Sequence, residues 1–329
     1  MTAGERVLIT GATGFVGSHL VSALADGHFQ LRALVRSTSD VRHLDALGVE
    51  RWEADLRDAA ALQNAVRDVD TVFHLAGLTR ARNEAEFRDV NVDGTRRLVD
   101  AMAESRRPRK LVYVSSLAAV GPVRNGRPVR PDDEPHPLTA YGRSKLDAER
   151  LCLDVRDRFA VVVLRPPAVY GPGDRDLLPF FRLARYGVLP VPSGPPRRLQ
   201  LIHAADLADV IRRAGVAEAA DGIYHTAEPR AYAWPEVLTL VADAVGRSGR
   251  RIPVPAALIR AAAAASEMVG RVVGRASIFT PDKARELLAP GWLCDTKATE
   301  QDLGFVARTP LADGLRETAA WYRAYGWLD

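Results

Sequence analysis

The chain has 329 residues, of which 47% are hydrophobic and 26% are charged, as is usual for a water-soluble globular protein. This length exceeds the usual size of a single hydrophobic core, so we expect one large domain with a smaller appended lobe. The formal net charge is +4, but arginines are spread along the chain with acidic residues between them, which gives no basic stripe for a nucleic acid.

The cysteine content and the first residues of the chain bear on the cellular compartment of the protein. Cys152 and Cys294 are too few and too far apart to indicate a disulfide framework or a metal site. The segment MTAGERVLIT leads straight into an apolar strand and lacks the pattern of a secretory signal. We therefore expect a cytoplasmic protein without a bound metal ion.

Short β-branched runs alternate with helical patterns through the first half of the chain. The predicted strands are 6–10, 30–35, a short one near 50–53, 71–76, 110–116 and 160–166. The predicted helices lie near 15–26, 59–67, 84–105 and 140–158. Such alternation is typical of right-handed βαβ units, and it predicts an α/β fold with a Rossmann-type doubly wound parallel sheet.

The second half differs in composition. Clusters of proline and glycine within 166–200 indicate loops that leave the sheet. A strand at 199–202, a helix at 204–216 and a strand at 222–226 are predicted to rejoin the main domain. We predict a dinucleotide-binding domain over 1–170, rejoined by about 199–226, and a smaller, mainly helical substrate-binding lobe over 171–198 and 227–329.

An alanine-rich helix is predicted over 256–273. Arg260 and Glu267 interrupt its apolar sequence, so it falls short of the roughly 18 apolar residues of a membrane span. It is interpreted as a buried or surface-lying helix, and peripheral contact with a membrane stays open. This helix and the apolar run that includes Phe181, Tyr186 and Leu189 either line a substrate pocket or form the core of the smaller lobe.

A glycine-rich loop follows the first predicted strand directly. Gly11, Gly14 and Gly17 form a GxxGxxG pattern at the start of a helix. Glycine suits this position because the turn is tight, a pyrophosphate must approach the backbone, and the helix must pack closely on the strand. The free N–H groups of the helix N-terminus favour phosphate, so the loop predicts a dinucleotide site.

The end of the second strand bears on the choice of dinucleotide. Arg36, followed by hydroxyl side chains, suits the 2′-phosphate of NADP, so NADP(H) is favoured and NAD(H) is the alternative. A surface arginine in an arginine-rich chain is the competing interpretation. Asp55 is a candidate acceptor for the adenine amino group, or else a helix cap.

Tyr141 and Lys145 lie four residues apart on a predicted helix, and therefore on one helical face. A nearby ammonium group lowers the pKa of a phenol, which predicts that Tyr141 acts as a general acid and base. Lys145 is also one of only four lysines in the chain. Ser115 and Ser116 follow another strand at the same edge of the sheet, where one of the two hydroxyls can hold a substrate carbonyl.

The order of these patterns resembles the extended short-chain dehydrogenase/reductases. The matching segments are TGATGFVG at the start, DL at 55–56, HLAG at 74–77, NVDGT at 91–95, SS at 115–116, YGRSK at 141–145 and LRPPAVYGPGD at 164–174. The resemblance implies that Ser116, Tyr141 and Lys145 are catalytic and that Asn91 orders the site, although a helix-capping role of Asn91 is the alternative. It also implies these cofactor contacts: Gly11, Thr13, Gly14, Phe15, Val16, Gly17, Arg36, Asp55, Leu56, Leu75, Ala76, Gly77, Tyr141, Lys145, Pro166, Ala168 and Val169.

Departures from the family pattern narrow the expected reaction. Leu117 and Ala118 stand where sugar-nucleotide dehydratases of this family have an Asp-Glu pair, and Val120 stands where epimerases commonly have tyrosine. The carboxyl-terminal pattern resembles dihydroflavonol-reductase-like and 3β-hydroxysteroid-dehydrogenase-like members, whose substrates are largely apolar. We therefore expect an NADP(H)-dependent oxidoreductase that interconverts a ketone and a secondary alcohol on an apolar or aromatic small molecule.

Two other functions remain as alternatives. One is a nucleotide-sugar 4-epimerase that holds NAD tightly and uses the same side chains, with Arg197, Arg198 and Arg230 as candidates to bind the diphosphate. The other is a nucleotide-sensing regulatory protein without catalysis. The expected partners are a small-molecule substrate and, as an open option, a second copy of the chain in a homodimer, but no nucleic acid.

Overall fold

The computed structural model describes residues 4–25, 29–105, 107–274, 277 and 279–328. The strands of the first half are β1 (Arg6–Thr10), β2 (Gln30–Val35), β3 (Glu50–Glu53), β4 (Thr71–His74), β5 (Lys110–Val114) and β6 (Ala160–Arg165). The helices between them are α1 (Phe15–Ala25), α2 (Arg42–Ala46), α3 (Ala59–Val66), α4 (Glu84–Phe87), α5 (Gly94–Ser105) and α6 (Ala140–Leu153). A π-helix (Arg88–Asp93) joins α4 to α5, and a short 3₁₀ helix (Leu117–Ala119) follows β5.

The second half contains shorter strands and more helix. Its strands are β7 (Ala168–Tyr170), β8 (Val188–Pro192), β9 (Arg198–Leu199), β10 (Leu201–His203), β11 (Gly222–His225), β12 (Tyr232–Ala233), β13 (Arg250–Val254) and β14 (Gly291–Trp292). Its helices are α7 (Leu178–Arg185), α8 (Ala204–Val216), α9 (Trp234–Ala244), α10 (Ala256–Val273), α11 (Pro281–Leu288), α12 (Lys297–Leu303) and α13 (Leu311–Ala324).

Seven parallel strands form the central sheet in the order β11-β6-β5-β4-β1-β2-β3. The predicted doubly wound, Rossmann-type parallel sheet is therefore confirmed. The strand order reverses between β1 and β4, and in such sheets the crevice at the carboxyl ends of the strands on either side of the reversal is the usual ligand site. All the predicted catalytic residues come from segments that reach this edge.

Helices cover both faces of the sheet, which explains the continuous apolar runs of its strands. On one face, α1 and α8 pack through Leu20, Leu24 and Val210. On the other face, α3, α5 and α6 pack through residues that include Leu62 and Met102. The sheet is thus buried between two apolar layers, and its carboxyl edge stays open for a ligand.

Residues 199–226 meet the central sheet through one strand and one helix, since α8 packs on one face of the sheet. Only β11 joins it, beside β6. The segment predicted as one strand at 199–202 contributes to two small sheets instead, because β9 pairs with β12 and β14 whereas β10 pairs with β7. These short pairings attach the carboxyl-terminal segments to the end of the central sheet.

The smaller lobe has its own apolar core. Phe181 and Leu189 are buried in it, and the ring of Phe181 lies edge-on to Tyr322 with 5.1 Å between ring centroids. Tyr186, by contrast, is 79% exposed. The core interpretation therefore holds for Phe181 and Leu189.

None of the helices in the described part of the chain combines the length and the apolar composition that a membrane span requires.

Candidate active site

The glycine loop has the geometry of a phosphate cradle. Gly11 has a φ of +75°, and a Cβ there would lie 2.7 Å from the backbone nitrogen of Ala76. A Cβ on Gly17 would lie 2.0 Å from the carbonyl oxygen of Gly11, so α1 packs too closely on β1 for any other residue. Thr13 and Gly14 are exposed at the tip of the loop, where the first N–H groups of α1 have no intrahelical partner. These residues fit the pyrophosphate of a dinucleotide.

The other predicted cofactor residues of the loop lie beside it. Phe15 and Val16 form the first turn of α1 and are partly exposed. The ring of Phe15 packs edge-on against His19, whose Nε2 lies 2.9 Å from the carbonyl oxygen of Pro172. The segment after β7 is thereby held against the start of α1.

Arg36 is exposed immediately after β2. The turn is held by its backbone, because the Arg36 N–H donates to Ser39 Oγ over 3.1 Å and the Ser39 N–H donates to the Arg36 carbonyl. Among the residues that the structure describes, the guanidinium of Arg36 has no hydrogen-bond or ion-pair partner. An exposed, unpaired guanidinium at this edge remains available to an anion.

Asp55 does not cap a helix. The N-cap of α3 is Asp58, whose side chain accepts from the Ala61 N–H over 3.0 Å. Asp55 instead accepts from the Arg57 N–H over 2.9 Å and so holds the turn after β3. The neighbouring Leu56 is buried and packs close to the start of α5, where a Cβ on Gly94 would lie 3.1 Å from its Cβ.

Residues just beyond β4 and β6 line the same edge. Leu75 and Ala76 are partly exposed and bind back to β1, because the Leu75 N–H donates to the Thr10 carbonyl and the Ala76 N–H donates to Thr10 Oγ1. Gly77 is exposed, and a Cβ there would lie 3.1 Å from Asn91 Oδ1. Beyond β6, the remaining predicted contacts differ in exposure: Pro166 is buried, Ala168 is exposed and Val169 is partly exposed.

Tyr141 lies in the first turn of α6, which Thr139 caps by accepting from the Gly142 N–H over 3.1 Å. The hydroxyl group of Ser116 lies near the phenol and lowers its pKa. Burial is the larger effect and raises the pKa of Tyr141 above its ordinary value, with smaller contributions from the carboxylates of Glu286 and Asp176. The expected net lowering of this pKa does not occur, because burial outweighs the groups that lower it, so Tyr141 is a neutral phenol at neutral pH.

The ammonium group of Lys145 is buried and hydrogen-bonded within the protein. Its Nζ donates to the Val114 carbonyl over 2.7 Å and lies 4.3 Å from the centroid of the Tyr113 ring. The side chain is 5% exposed, and this burial lowers its pKa to about 8, which Glu149 partly opposes. Lys145 still lies at the predicted edge, since a Cβ on Gly77 would be 4.0 Å from Nζ.

The two serines after β5 have different surroundings. Ser115 is buried and donates its hydroxyl proton to Glu149. Glu149 in turn pairs with Arg165 at 2.7 Å, and both side chains of this pair are almost fully buried. Ser116 is partly exposed, caps the 3₁₀ helix by accepting from the Ala118 N–H over 3.1 Å, and lies near Tyr141. Ser116 is therefore the serine that can meet a substrate.

We expect Ser116→Ala to lower kcat by about 100-fold, because one hydrogen-bond donor to the developing charge on the substrate oxygen is lost. Ser115→Ala is the matched control and should retain kcat within about threefold, although it removes a buried hydrogen bond worth roughly 1 kcal/mol of unfolding free energy. Steady-state kinetics and urea unfolding of both variants measure these effects. A greater loss of kcat in the Ser115 variant would contradict this assignment.

Asn91 connects the site to the helix behind it. It lies in the π-helix rather than at a helix cap, and its side chain is 1% exposed. Its Oδ1 accepts from the Leu78 N–H over 2.7 Å, and its Nδ2 donates to the Leu78 carbonyl and to Ser144 Oγ. Ser144 donates to the carbonyl of Tyr141. The extra residue of a π-helical turn thus directs Asn91 towards the catalytic helix.

His74, for which no sequence pattern predicted a role, orders this region. Its Nδ1 lies 2.7 Å from Thr10 Oγ1 and its Nε2 lies 2.8 Å from Thr95 Oγ1. Thr95 donates its only proton to the Asn91 carbonyl, so Nε2 must carry the imidazole proton. Burial and the charge of Lys145 lower the pKa of His74 to about 3, which keeps the ring neutral as this chain of bonds requires.

The smaller lobe contacts the catalytic helix at its N-terminus. Asp282 of α11 accepts from the Ala140 N–H over 2.8 Å, and Glu286 accepts from Thr139 Oγ1 over 3.3 Å. Acidic side chains at a helix N-terminus satisfy free N–H groups and interact favourably with the helix dipole. Helix α11 therefore fixes the start of α6 immediately before Tyr141.

Comparison with known proteins agrees with this geometry. Residues 7–227 match the family described as the NAD dependent epimerase/dehydratase family. The chain belongs to this family. It is accordingly an enzyme of the extended short-chain dehydrogenase/reductase type with a nicotinamide cofactor, as the resemblance implied, and the non-enzymatic alternative is not supported.

Individual members of the family have different named activities. The chain is 36% identical over 327 residues to a ceramide reductase of Caulobacter vibrioides, covering 98% of this chain and 96% of the relative. It is 29% identical to a 4-hydroxy-2-methyl-3-oxo-4-farnesyl-3,4-dihydroquinoline-1-oxide ketoreductase of Stigmatella aurantiaca, covering 94% of each chain. A solved structure of MoeE5 in complex with UDP-glucose and NAD is 26% identical, with a TM-score of 0.76 and coverage of 97% of this chain and 99% of the other.

Proposed function

We propose that the protein is an NADP(H)-dependent oxidoreductase that interconverts a ketone and a secondary alcohol on an apolar or aromatic small molecule. The observation that carries this proposal is that Ser116, directly after β5, lies near Tyr141 in the first turn of α6, close enough to lower the pKa of the phenol. Two hydroxyl donors side by side are suited to one carbonyl oxygen. Lys145 lies one helical turn further along α6, on the same face as Tyr141.

Each side chain of the proposed site has its own role in carbonyl reduction. Ser116 donates a hydrogen bond to the substrate oxygen, and Tyr141, as a neutral phenol, gives that oxygen its proton. Lys145 places a positive charge beside the site and stabilises the phenolate that Tyr141 becomes. When bound, the nicotinamide cofactor supplies or accepts the hydride. The raised pKa of Tyr141 keeps the proton on the phenol at neutral pH, so the group is in its acid form before reduction.

The proposed substrate class is supported by residues and by relatives. Leu117 and Ala118 are both buried after Ser116 and offer no acid or base for the elimination of water. The two curated relatives described above carry the names of reductases of a ceramide and of a farnesylated quinoline, which are largely apolar molecules. The direct test is to incubate the purified protein with NADPH and a series of apolar ketones, and to follow both cofactor oxidation and the alcohol formed. Absence of turnover with the whole series would contradict the proposal.

The preference for NADP(H) rests on Arg36. Replacement by alanine removes a charge-assisted hydrogen bond to the 2′-phosphate, so we expect Arg36→Ala to weaken NADPH binding about tenfold or more and to leave NADH binding nearly unchanged. Fluorescence titration of both cofactors measures this. Arg42→Ala is the matched control, because Arg42 is a nearby exposed arginine that pairs with Asp40 at 2.5 Å. Equal losses for NADPH and NADH would contradict the preference.

The second candidate is a nucleotide-sugar 4-epimerase, which the likeness to MoeE5 with UDP-glucose favours. The arginines considered for its diphosphate are already engaged with the protein. Arg197 donates to the carbonyls of Ser193 and Leu288, Arg198 donates to that of Ala231, and Arg230 pairs with Glu236. Epimerisation of UDP-glucose without net consumption of cofactor would support this candidate over the reductase.

A further inference from the structure

Helix α10 carries a continuous apolar face that the protein does not cover. Residues spaced by three or four along it are all exposed: Leu258, Ala261, Ala262, Ala265, Met268, Val269 and Val272. Met268 is 68% exposed and Val272 is 84% exposed. Isolated apolar residues on a surface need no explanation, but a stripe along an 18-residue helix is typical of an interaction site.

The opposite face of α10 is packed, so the orientation of the helix is fixed. Ile259 and Ala263 are buried against Ala284 of α11, together with partly buried Phe279 and Leu287. Ser266 on the same side hydrogen-bonds with Ser277 over 2.7 Å. The helix is therefore held by one apolar face and presents a second one outward, instead of closing a pocket with both.

Positive charge is concentrated in the segment that contains this helix. Residues 247–274 contain five arginines and one acidic residue, so this segment alone has the formal net charge of +4 that the whole chain has. Arg247, Arg250 and Arg260 are exposed, and within the described part of the chain their side chains have no hydrogen-bond or ion-pair partner. Strand β13, which carries Arg250, leads directly into α10.

We propose that α10 docks this protein on the surface of an anionic lipid bilayer. Its outward face enters the boundary between headgroups and acyl chains, and the arginines bind lipid phosphates, as in interfacial amphipathic helices. The charge favours a membrane over a second copy of the chain, because a symmetric pairing of this face would bring like-charged segments together. The two arginines and the glutamate within α10 are consistent with a helix that lies in the interface and does not span it.

The docking face is one helix away from the catalytic helix. Its buried side packs on α11, and α11 binds the start of α6 through Asp282 and Glu286. A bilayer against α10 therefore lies on the side of the smaller lobe, and in this proposal it delivers an apolar substrate to the site. This delivery of substrate from the bilayer rests on the proposed function, whereas the docking itself does not.

Vesicle sedimentation of the full chain, without cofactor or substrate, tests the docking. We expect the protein to sediment with vesicles of phosphatidylcholine and phosphatidylglycerol, and much less with phosphatidylcholine alone or at high salt. Val269→Asp with Val272→Asp should lower the partition coefficient at least tenfold, and Arg247→Gln with Arg250→Gln should lower it about tenfold on anionic vesicles only.

Val306→Asp is the matched control and should bind vesicles as the wild type does. Val306 is a 41% exposed valine that lies between core residues of the cofactor-binding side. Retained NADPH binding by each variant shows that it is folded. Three results would overturn the proposal: no sedimentation of the wild type with anionic vesicles, equal sedimentation of the Val269 and Val272 variant, or a wild-type dimer that this variant converts to a monomer.

Discussion

Tyr141→Phe is expected to lower kcat by about 10²–10⁴-fold, while the unfolding free energy changes by less than about 1 kcal/mol. The substitution removes only the hydroxyl that lies near Ser116 and leaves the ring on Phe87, with 5.9 Å between ring centroids. Because proton donation to the substrate oxygen is lost, KM should change much less than kcat. Steady-state kinetics with an apolar ketone and urea unfolding measure both quantities.

The matched control for Tyr141 is Tyr113, a buried tyrosine. Tyr113→Phe removes a hydroxyl that has no hydrogen-bond partner among the described residues, and it keeps the ring beneath the ammonium group of Lys145. This variant should retain kcat within about threefold, since it removes no proton donor from the site. If Tyr141→Phe also retained full turnover, the chemistry proposed for Ser116, Tyr141 and Lys145 would be wrong.

Lys145→Met is expected to lower kcat by about 1,000-fold without loss of stability at neutral pH. The ammonium group that stabilises phenolate disappears, but methionine fills much of the volume of the lysine stem. Burial lowers the pKa of Lys145 from 10.5 to about 8, so the charged form costs the folded state about 3 kcal/mol. The lost bond to the Val114 carbonyl offsets part of this gain.

The sign of the pH dependence follows from the lowered pKa of Lys145. Below pH 8 the lysine is charged in both the folded and the unfolded chain, and the wild type bears the full desolvation cost. As the pH rises from about 8 to 10.5, the folded chain loses this proton first and the cost disappears. The unfolding free energy of Lys145→Met relative to the wild type should therefore be highest at pH 7 and should decline towards pH 10. A variant that is destabilised equally at both pH values would contradict this account.

The sequence pattern predicted the strands of the central sheet well. It did not predict the break in the longest of the predicted helices. Short, continuous apolar runs predicted the ends of β1, β2 and β6 to within one residue. The segment 84–105 was predicted as one helix, whereas a π-helix interrupts it at Arg88–Asp93. The periodicity of apolar residues does not reveal the one residue that a π-helical turn inserts, because the helices on either side keep their own buried faces.

The sequence predicted those site residues whose relative position depends on local spacing. It missed a residue whose partners are distant in the chain. Tyr141 and Lys145 share a face of α6 because a helix places residues four apart on one side. His74, by contrast, acquires its role from Thr10 and Thr95, which lie 64 and 21 residues away. Its position in the HLAG segment was visible in the sequence, but no short-range pattern shows which hydroxyl groups will face an imidazole.

The sequence by itself determined the fold class, the phosphate loop and the pairing of Tyr141 with Lys145. These features follow from periodicity and from glycine positions, which act over a few residues. Only the tertiary structure decided that Ser115 is buried whereas Ser116 is partly exposed, that Lys145 is buried, and that one face of α10 stays uncovered. Each of these depends on which surfaces meet when the chain packs, because burial and hydrogen-bond partners are set by residues far apart in sequence.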